Sequence, residues 1–184
     1  MASHLALLRG INVGKSVRLP MSQLRSIAAE LGWNDIKTYL QSGNLVFSAP
    51  AECQTLAADL HQAIAQNTPI APAVIVQSAA QWRELIARSP HGQPQDPRQV
   101  HAYVQQEPIS PEQEAAMMQL ARTARDRGAR DELHVVANVA YLHTPDGMAG
   151  SKLAEQLSRN TIVGGGGLTA RNWRTVLALH DLLV

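Results

Sequence analysis

A loop near the start of the chain carries residue types that bind phosphate groups. The segment "LLRGINVGKS", residues 7–16, ends in Gly14, Lys15 and Ser16. A phosphate-binding loop ends in the same way, because its backbone N–H groups surround the phosphates while the lysine reaches them. Only three residues separate the two glycines where that motif has four, and Pro20 would break a helix that began at Lys15. Spacing and context therefore argue against a true phosphate-binding loop.

The same loop still offers a simpler kind of anion site. It places Arg9, Asn12 and Lys15 around a turn that is bounded by Gly10 and Gly14. Such a loop can present cations and backbone N–H groups to an anion. Alternatively, the glycines only supply the positive φ of a tight connection and Lys15 is solvated. The sequence leaves both interpretations open.

A second candidate anion site lies at the other end of the chain, in "TARNWRTV", residues 169–176. With Thr169 as the cap of a last helix, Arg171, Asn172 and Arg174 fall on or near its first turn. Backbone N–H groups and the helix dipole favour an anion there. In the structural alternative, the apolar residues of this helix pack while the arginines pair with carboxylates.

Two further pairs have residue types that could act in catalysis or binding. Ser151 and Lys152 in "GSKL" could form a Ser–Lys nucleophile, but adjacent helical residues diverge by about 100°, so Ser151 is expected to be an N-cap. Ser42 and Asn44 in "QSGN" suit a hairpin turn and are expected to be structural first. No nucleophile or general base stands out, so the sequence leaves open whether the protein is an enzyme.

Histidine and cysteine usage predicts neither a metal site nor a cofactor. The chain has seven histidines and one cysteine. His101, His134 and His143 fall on three separate predicted strands, and no cysteine or acidic partner recurs at ligand intervals. The lone Cys53 cannot form an intrachain disulfide and fits a reducing compartment, so we expect a cytoplasmic protein. The apolar run "LALL" before Arg9 is too short for a signal or membrane segment, which predicts no membrane association.

Charge is spread unevenly along the chain. The formal net charge is only +1, which gives no general attraction to nucleic acid or membrane. Residues 1–40 hold five basic and two acidic residues, a net charge of +3, and residues 150–184 hold four and two, a net charge of +2. If the two ends meet in space they form a basic face; otherwise the surface is an ordinary mixture of charges.

Hydrophobic periodicity predicts two related halves. In residues 1–78, strands at "HLALLRG", "IKTYL", "NLVFS" and "AVIVQ" and helices at "PMSQLRSIAAELG" and "AECQTLAADLHQAIAQN" give the order β-α-β-β-α-β, the ferredoxin-like plan. Residues 79–184 begin with a helix and a proline-rich connector near 89–99, and then repeat β-α-β-β-α. The closing strand of this half is missing or reduced to "TIV", and a C-terminal helix follows. The predicted fold class is α+β with two ferredoxin-like subdomains, the second one modified.

Four segments carry a resemblance to a known family. They are "LLRGINVG" followed by "PM", then "TYLQSGNLVF", "DGMAGSKL" and "TARNWRTV". In their order and spacing the chain resembles the bacterial family known as domain of unknown function 1697, over about residues 5–180. The resemblance implies two ferredoxin-like subdomains and no established activity, substrate or catalytic residue. Two segments depart from the family pattern: "VGKS" lacks the second glycine usual after "NVG", and "TIVGGGGLTARN" is richer in glycine.

Three hypotheses of function follow. In the first, two subdomains form a basic cleft in which Arg9, Asn12, Lys15, Arg171, Asn172 and Arg174 bind a small phosphate- or carboxylate-bearing ligand. The second is a nucleic-acid binder that contacts only the phosphate backbone, because "NLVFS" offers Phe47 alone for base stacking. The third is a non-catalytic protein-interaction module, whose oligomeric state the sequence does not define.

Overall fold

The computed structural model describes residues 2–12, 14, 18–159 and 167–184. Within these residues the chain is a mixed α/β protein with two four-stranded antiparallel sheets and six α-helices. Contacts divide it into two units, one of Met1–Arg83 with Ala178–Val184 and one of Glu84–Leu177. None of the helices described is long and apolar enough to cross a membrane.

The first unit alternates strands and helices in the order that the sequence predicts. Its elements are β1 (His4–Leu8), α1 (Met21–Glu30), β2 (Asn34–Tyr39), β3 (Asn44–Ser48), α2 (Cys53–Asn67) and β4 (Val74–Ser78). The sheet has the order β2-β3-β1-β4, and all neighbouring strands are antiparallel. The apolar runs of β1 and β3 therefore lie at the centre of the sheet, where a strand can be buried on both faces.

The core of this unit forms where α1 and α2 cover one face of the sheet. Leu24 and Ile27 of α1 recur at the spacing of one helical face, so both are buried. Trp33 stacks on Phe47 of β3 with a ring-centroid distance of 3.9 Å. Each large apolar side chain in this cluster contributes about 2 kcal/mol by leaving water. The other core residues include Ala6, Leu8, Leu45, Leu56, Leu60, Ile64 and Val76.

The second unit contains a sheet with the same strand pattern. After α3 (Ala79–Ala87), residues 88–99 form neither helix nor strand. The elements that follow are β5 (Val100–Val104), α4 (Pro111–Asp126), β6 (Glu132–Val136), β7 (Val139–His143), α5 (Lys152–Arg159), β8 (Thr169–Asn172) and α6 (Trp173–Leu183). The sheet order is β6-β7-β5-β8, again antiparallel throughout. Helices α4 and α5 pack on one face of this sheet through Met117, Ala121, Leu153 and Leu157.

Two details of the second half differ from the sequence prediction. The closing strand is present as β8, Thr169–Asn172, whereas the predicted strand "TIV" at 161–163 lies outside the described residues. The prediction of a missing closing strand is therefore wrong. Because β8 is short and polar, with the sequence "TARN", hydrophobic periodicity does not reveal it. Thr169, predicted as the cap of the last helix, is part of this strand, and α6 begins only at Trp173.

Candidate functional site

The N-terminal loop after β1 is held by the side chain of Asn12. Gly10, Asn12 and Gly14 all have positive φ, of 69°, 56° and 63°. The Asn12 Nδ2 group donates to the carbonyl oxygens of Leu19 at 3.0 Å and Gln41 at 2.7 Å, and its Oδ1 accepts from the Leu19 N–H at 2.8 Å. This amide therefore connects the loop to the β2–β3 turn.

Of the two cationic residues predicted to bind a ligand in this loop, the structure describes only Arg9. Arg9 is half-buried, and its backbone N–H donates to the Ala73 carbonyl oxygen at 2.9 Å. Lys15 lies outside the described residues. The ligand-binding role of both residues stays a prediction.

Ser42 and Asn44 hold the turn between β2 and β3. Asn44 is fully buried, and its Nδ2 group donates to the Tyr39 carbonyl oxygen at 2.9 Å and to the Ser42 hydroxyl at 3.0 Å. Such side-chain bonds to nearby backbone are what serine and asparagine commonly supply in turns. Asn12 thus binds the β2–β3 turn from the N-terminal loop, and Asn44 stabilises the same turn from within.

In the second unit, β8 and α6 position Arg171, Asn172 and Arg174. Arg171 pairs with Ala102 across the ladder and is only 9% exposed. Its Nη1 group donates to the Thr169 hydroxyl and to the Ala170 carbonyl oxygen, both at 2.9 Å. Burial lowers the pKa of Arg171 to about 10, because a guanidinium ion removed from water loses hydration.

Asn172 is the N-cap of α6. Its Oδ1 accepts a hydrogen bond from the Thr175 N–H at 2.9 Å, the bond expected between an N-cap and the third residue of a helix. Arg174 is exposed in the first turn, which contains no acidic residue. The sequence correctly places both residues at the helix start, although it assigns the cap to the wrong one.

The positive charge of Arg174 acts on an exposed ion pair in the segment before β5. The Arg98 guanidinium donates to both carboxylate oxygens of Asp96. These hydrogen bonds are the main cause that lowers the pKa of Asp96 to about 2, and the positive charge of Arg174 lowers it further. The start of α6 therefore lies within electrostatic range of this ion pair.

Ser151 acts as the N-cap that the sequence predicts. Its hydroxyl accepts from the Ala154 N–H at 2.9 Å and donates to Asp131 Oδ2 at 2.6 Å, with both side chains buried. Lys152 is exposed, and its ammonium group pairs with Glu155 at 3.1 Å. Ser151, Asp131 and Lys152 line a cavity of about 310 Å³, together with residues of α4 and of the loop after it. Neither side chain is bonded to the other, so the pair does not form a Ser–Lys nucleophile in this geometry.

Three histidines and a glutamate that are not neighbours in sequence lie close together in the second unit. Glu132 and His143 are direct cross-strand partners on β6 and β7, and His134 lies on the same face two residues after Glu132. His91, from the segment between α3 and β5, places its ring centroid 5.4 Å from that of His143 and 5.5 Å from that of His134. Burial is the main cause that lowers the pKa of His91; His143 and His134 lower it further, and Glu132 opposes them.

Part of this histidine cluster could be found from the sequence. The predicted order β-α-β-β-α has two consecutive strands here, and a two-residue turn at Ala137 and Asn138 pairs Glu132 with His143 directly. His91 gives no such signal, because its segment has no periodicity and joins the cluster only through the folded chain.

Comparisons with known proteins give a family and a fold. A family model described as "Protein of unknown function (DUF1697)" matches residues 1–141. Among solved structures, the conserved bacterial protein SP0830 from Streptococcus pneumoniae matches with a TM-score of 0.77 and 18% identity, covering 100% of this chain and 99% of that chain. At this identity the likeness establishes the fold alone. No curated protein matches the sequence.

Proposed function

We propose that this chain, which belongs to the protein family of unknown function DUF1697, binds a small anionic ligand at the start of α6. The family description and the related structure name no activity, so the proposal depends on the chemistry of this chain. The observation that supports it is a helix start that carries Arg171 just before it and Arg174 in its first turn, with no acidic residue there. A phosphate or carboxylate group is the ligand class that fits.

The electrostatics of a helix start explain why this arrangement favours an anion. The N-terminal end of a helix carries a partial positive charge, so cations there are unfavourable and anions favourable, by about 0.3–1 kcal/mol each. Helix α4 follows the usual pattern, with Ser110 as its cap and Glu112 and Glu114 in its first turn. Helix α6 has the opposite charge at the same place, which a bound anion would compensate.

Burial of Arg171 adds to this preference. Its lowered pKa means that the surroundings destabilise the guanidinium ion. A phosphate or carboxylate close to the guanidinium would offset that cost, because charge-assisted hydrogen bonds are about twice as strong as neutral ones. Asn172 is engaged as a helix cap, so the proposal assigns it a positioning role.

The candidate residues of the first unit are secondary in this proposal. Arg9 and Lys15 remain predicted ligand-binding cations, while Asn12, Ser42 and Asn44 serve to fix the loop and the turn. The hypothesis that one ligand engages residues of both candidate loops also stays a prediction. A double-mutant cycle between Arg9→Ala and Arg174→Ala tests it, since residues that share a ligand give non-additive losses of affinity.

We also infer that each half has the ferredoxin-like plan, with subdomains at 1–78 and 79–184. The support is the order β-α-β-β-α-β in each half and the matching strand orders β2-β3-β1-β4 and β6-β7-β5-β8. A cytoplasmic location is inferred on separate grounds, because the half-buried thiol of Cys53 is free.

Thermal denaturation with simple anions tests the ligand proposal. Inorganic phosphate, sulfate and citrate are added at constant ionic strength, with chloride as the reference, because salt alone screens surface charges. We expect at least one anion to raise the melting temperature, since a ligand at a hundred times its Kd stabilises by about 2.7 kcal/mol. Arg174→Glu should abolish this shift and Arg174→Ala should reduce it.

Arg122→Ala is the matched control, because Arg122 is an exposed arginine within α4. An anion shift that survives unchanged in the Arg174 variants, or that Arg122→Ala reduces equally, would disprove the assigned site. A protein that binds oligonucleotides with a steep salt dependence would instead favour the nucleic-acid hypothesis. Base stacking on β3 has little support, because Phe47 is fully buried against Trp33.

A further inference from the structure

We propose that the histidine cluster of the second unit is a binding site for a divalent transition-metal ion such as Zn²⁺, with His91, Glu132 and His143 as its ligands. Each residue offers one ligand atom, and these atoms all lie within 4.8 Å of one another. A tetrahedral zinc site has ligand bonds of about 2.0–2.2 Å, which place neighbouring ligand atoms about 3.3 Å apart. Small side-chain rotations are therefore enough to close the site around an ion.

Two of the three ligands are held on a rigid element. Glu132 and His143 are directly paired in the β6–β7 ladder, so their Cβ atoms are about 4.5–5.5 Å apart on the same face. Leu133 and Leu142, the neighbours in sequence, point into the core and fix which face the two ligands occupy. The register of one hairpin thus brings a carboxylate beside an imidazole.

The third ligand comes from a local turn before β5. The Ser89 hydroxyl accepts a hydrogen bond from the His91 N–H, and the Ser89 carbonyl oxygen accepts one from the Gly92 N–H, both at 3.3 Å. Within the part of the chain that the structure describes, His91 Nε2 is buried without a hydrogen-bond partner. Buried polar atoms usually have a hydrogen-bond partner, so the unpartnered Nε2 of His91 independently supports a ligand at this position.

The donor set selects the kind of metal. Imidazole nitrogen suits Zn²⁺ and its first-row neighbours, whereas Mg²⁺ and Ca²⁺ prefer sites built from oxygen atoms. Two imidazoles and one carboxylate form a three-ligand set of the type that leaves a fourth position for water or a substrate atom. This differs from a structural zinc site, in which four protein ligands close the coordination sphere.

A cavity lies beside the proposed ligands. It has a volume of about 300 Å³ and is lined by His91 and His143 together with Asp96, Gln99 and Pro145, among others. An ion held by the three ligands would border this space, where a small molecule could reach the fourth position. His134, whose ring touches that of His91, is assigned a neighbouring role outside the ligand set.

Titration of the metal-stripped full chain with Zn²⁺ by calorimetry tests the proposal. We expect one ion per chain, and a loss of affinity of more than about 100-fold for His143→Ala, His91→Ala or Glu132→Gln, since even outer-shell partners are worth 10–100-fold. Co²⁺ in place of zinc should give visible absorption bands that disappear in the same variants. Circular dichroism of each variant checks that the fold is retained.

His61→Ala is the matched control, because His61 lies on α2 in the first unit and bonds to the Pro72 carbonyl oxygen. It should bind zinc as the original chain does. Absence of stoichiometric zinc binding, or an equal loss of affinity in His61→Ala, would overturn the proposal. A loss in His134→Ala as large as in His143→Ala would overturn the three-ligand assignment.

Discussion

Most of the polar side chains singled out by the sequence turn out to stabilise their own loops. Asn12 makes three hydrogen bonds to backbone groups, Asn44 is buried in its turn, and Ser151 caps α5. Serine and asparagine are favoured in caps and turns because their short side chains reach nearby backbone groups. The same short side chains are also useful for ligand binding, so residue type alone does not separate the two roles.

Gly43 shows how closely the β2–β3 turn packs on the N-terminal loop. Its φ is +74°, and a Cβ atom added there would lie 2.6 Å from Leu8 Cβ and 2.8 Å from Ile11 Cδ1. We expect Gly43→Ala to lower the free energy of unfolding by about 2–4 kcal/mol, from left-handed backbone strain and overpacking together. Urea denaturation monitored by tryptophan fluorescence measures the change.

Gly10→Ala is the control that isolates the backbone contribution. Gly10 has a similar φ of +69° but no atom within 4 Å of an added Cβ. It should therefore cost only about 1–2 kcal/mol. Equal losses in the two variants would mean that the close approach at Gly43 is relieved without cost.

At the level of elements, the sequence predicts helices and hairpins well and misses one strand. Helix α4 begins after its cap Ser110, where Gln113 completes a capping box, so a local motif marks the start of a helix that periodicity also predicts. Strand β8 escapes prediction since its buried residues, Thr169 and Arg171, are polar. Its place in the sheet comes from pairing with β5, which is a long-range interaction that a local pattern does not contain.

The cap of α6 gives a prediction at this scale. Asn172→Ala removes the acceptor for the Thr175 N–H and should lower the free energy of unfolding by about 1 kcal/mol. Asn172→Asp keeps an acceptor and adds a negative charge at the helix start, so it should retain or slightly increase stability. Chemical denaturation of the three proteins at the same pH compares them. If Asn172→Ala and Asn172→Asp lower the free energy of unfolding equally, the hydrogen bond from the Thr175 N–H does not stabilise α6.

At the scale of the whole chain, features that depend on local sequence can be predicted, whereas features that depend on long-range contacts cannot. The repeated order β-α-β-β-α follows from hydrophobic periodicity, but His91 comes close to Glu132 and His143 only in the folded second unit. The expectation of no metal site rests on spacing along the chain, and the proposed zinc site depends on proximity in space. Zinc titration decides between them.

The division into two units yields a final prediction about the C-terminal residues. Leu179 is fully buried and belongs to the segment Ala178–Val184, which groups with the first unit although the whole stretch Glu84–Leu177 lies between it and Arg83 in sequence. Leu179→Ala should cost about 2–5 kcal/mol, because it leaves a cavity in a packed core. Leu153→Ala, from the core of the second unit, creates a similar cavity and is the matched variant.

Hydrogen exchange followed by mass spectrometry reports where each variant loosens the chain. If the units open separately, Leu179→Ala should increase exchange mainly in β1–β4 and Leu153→Ala mainly in β5–β8, since local opening follows cooperative units. Both variants should still keep slow exchange in the sheet that they do not touch. Uniform loss of protection in both sheets for either variant would show that the chain unfolds as one cooperative unit, in which a buried leucine supports distant strands as much as near ones.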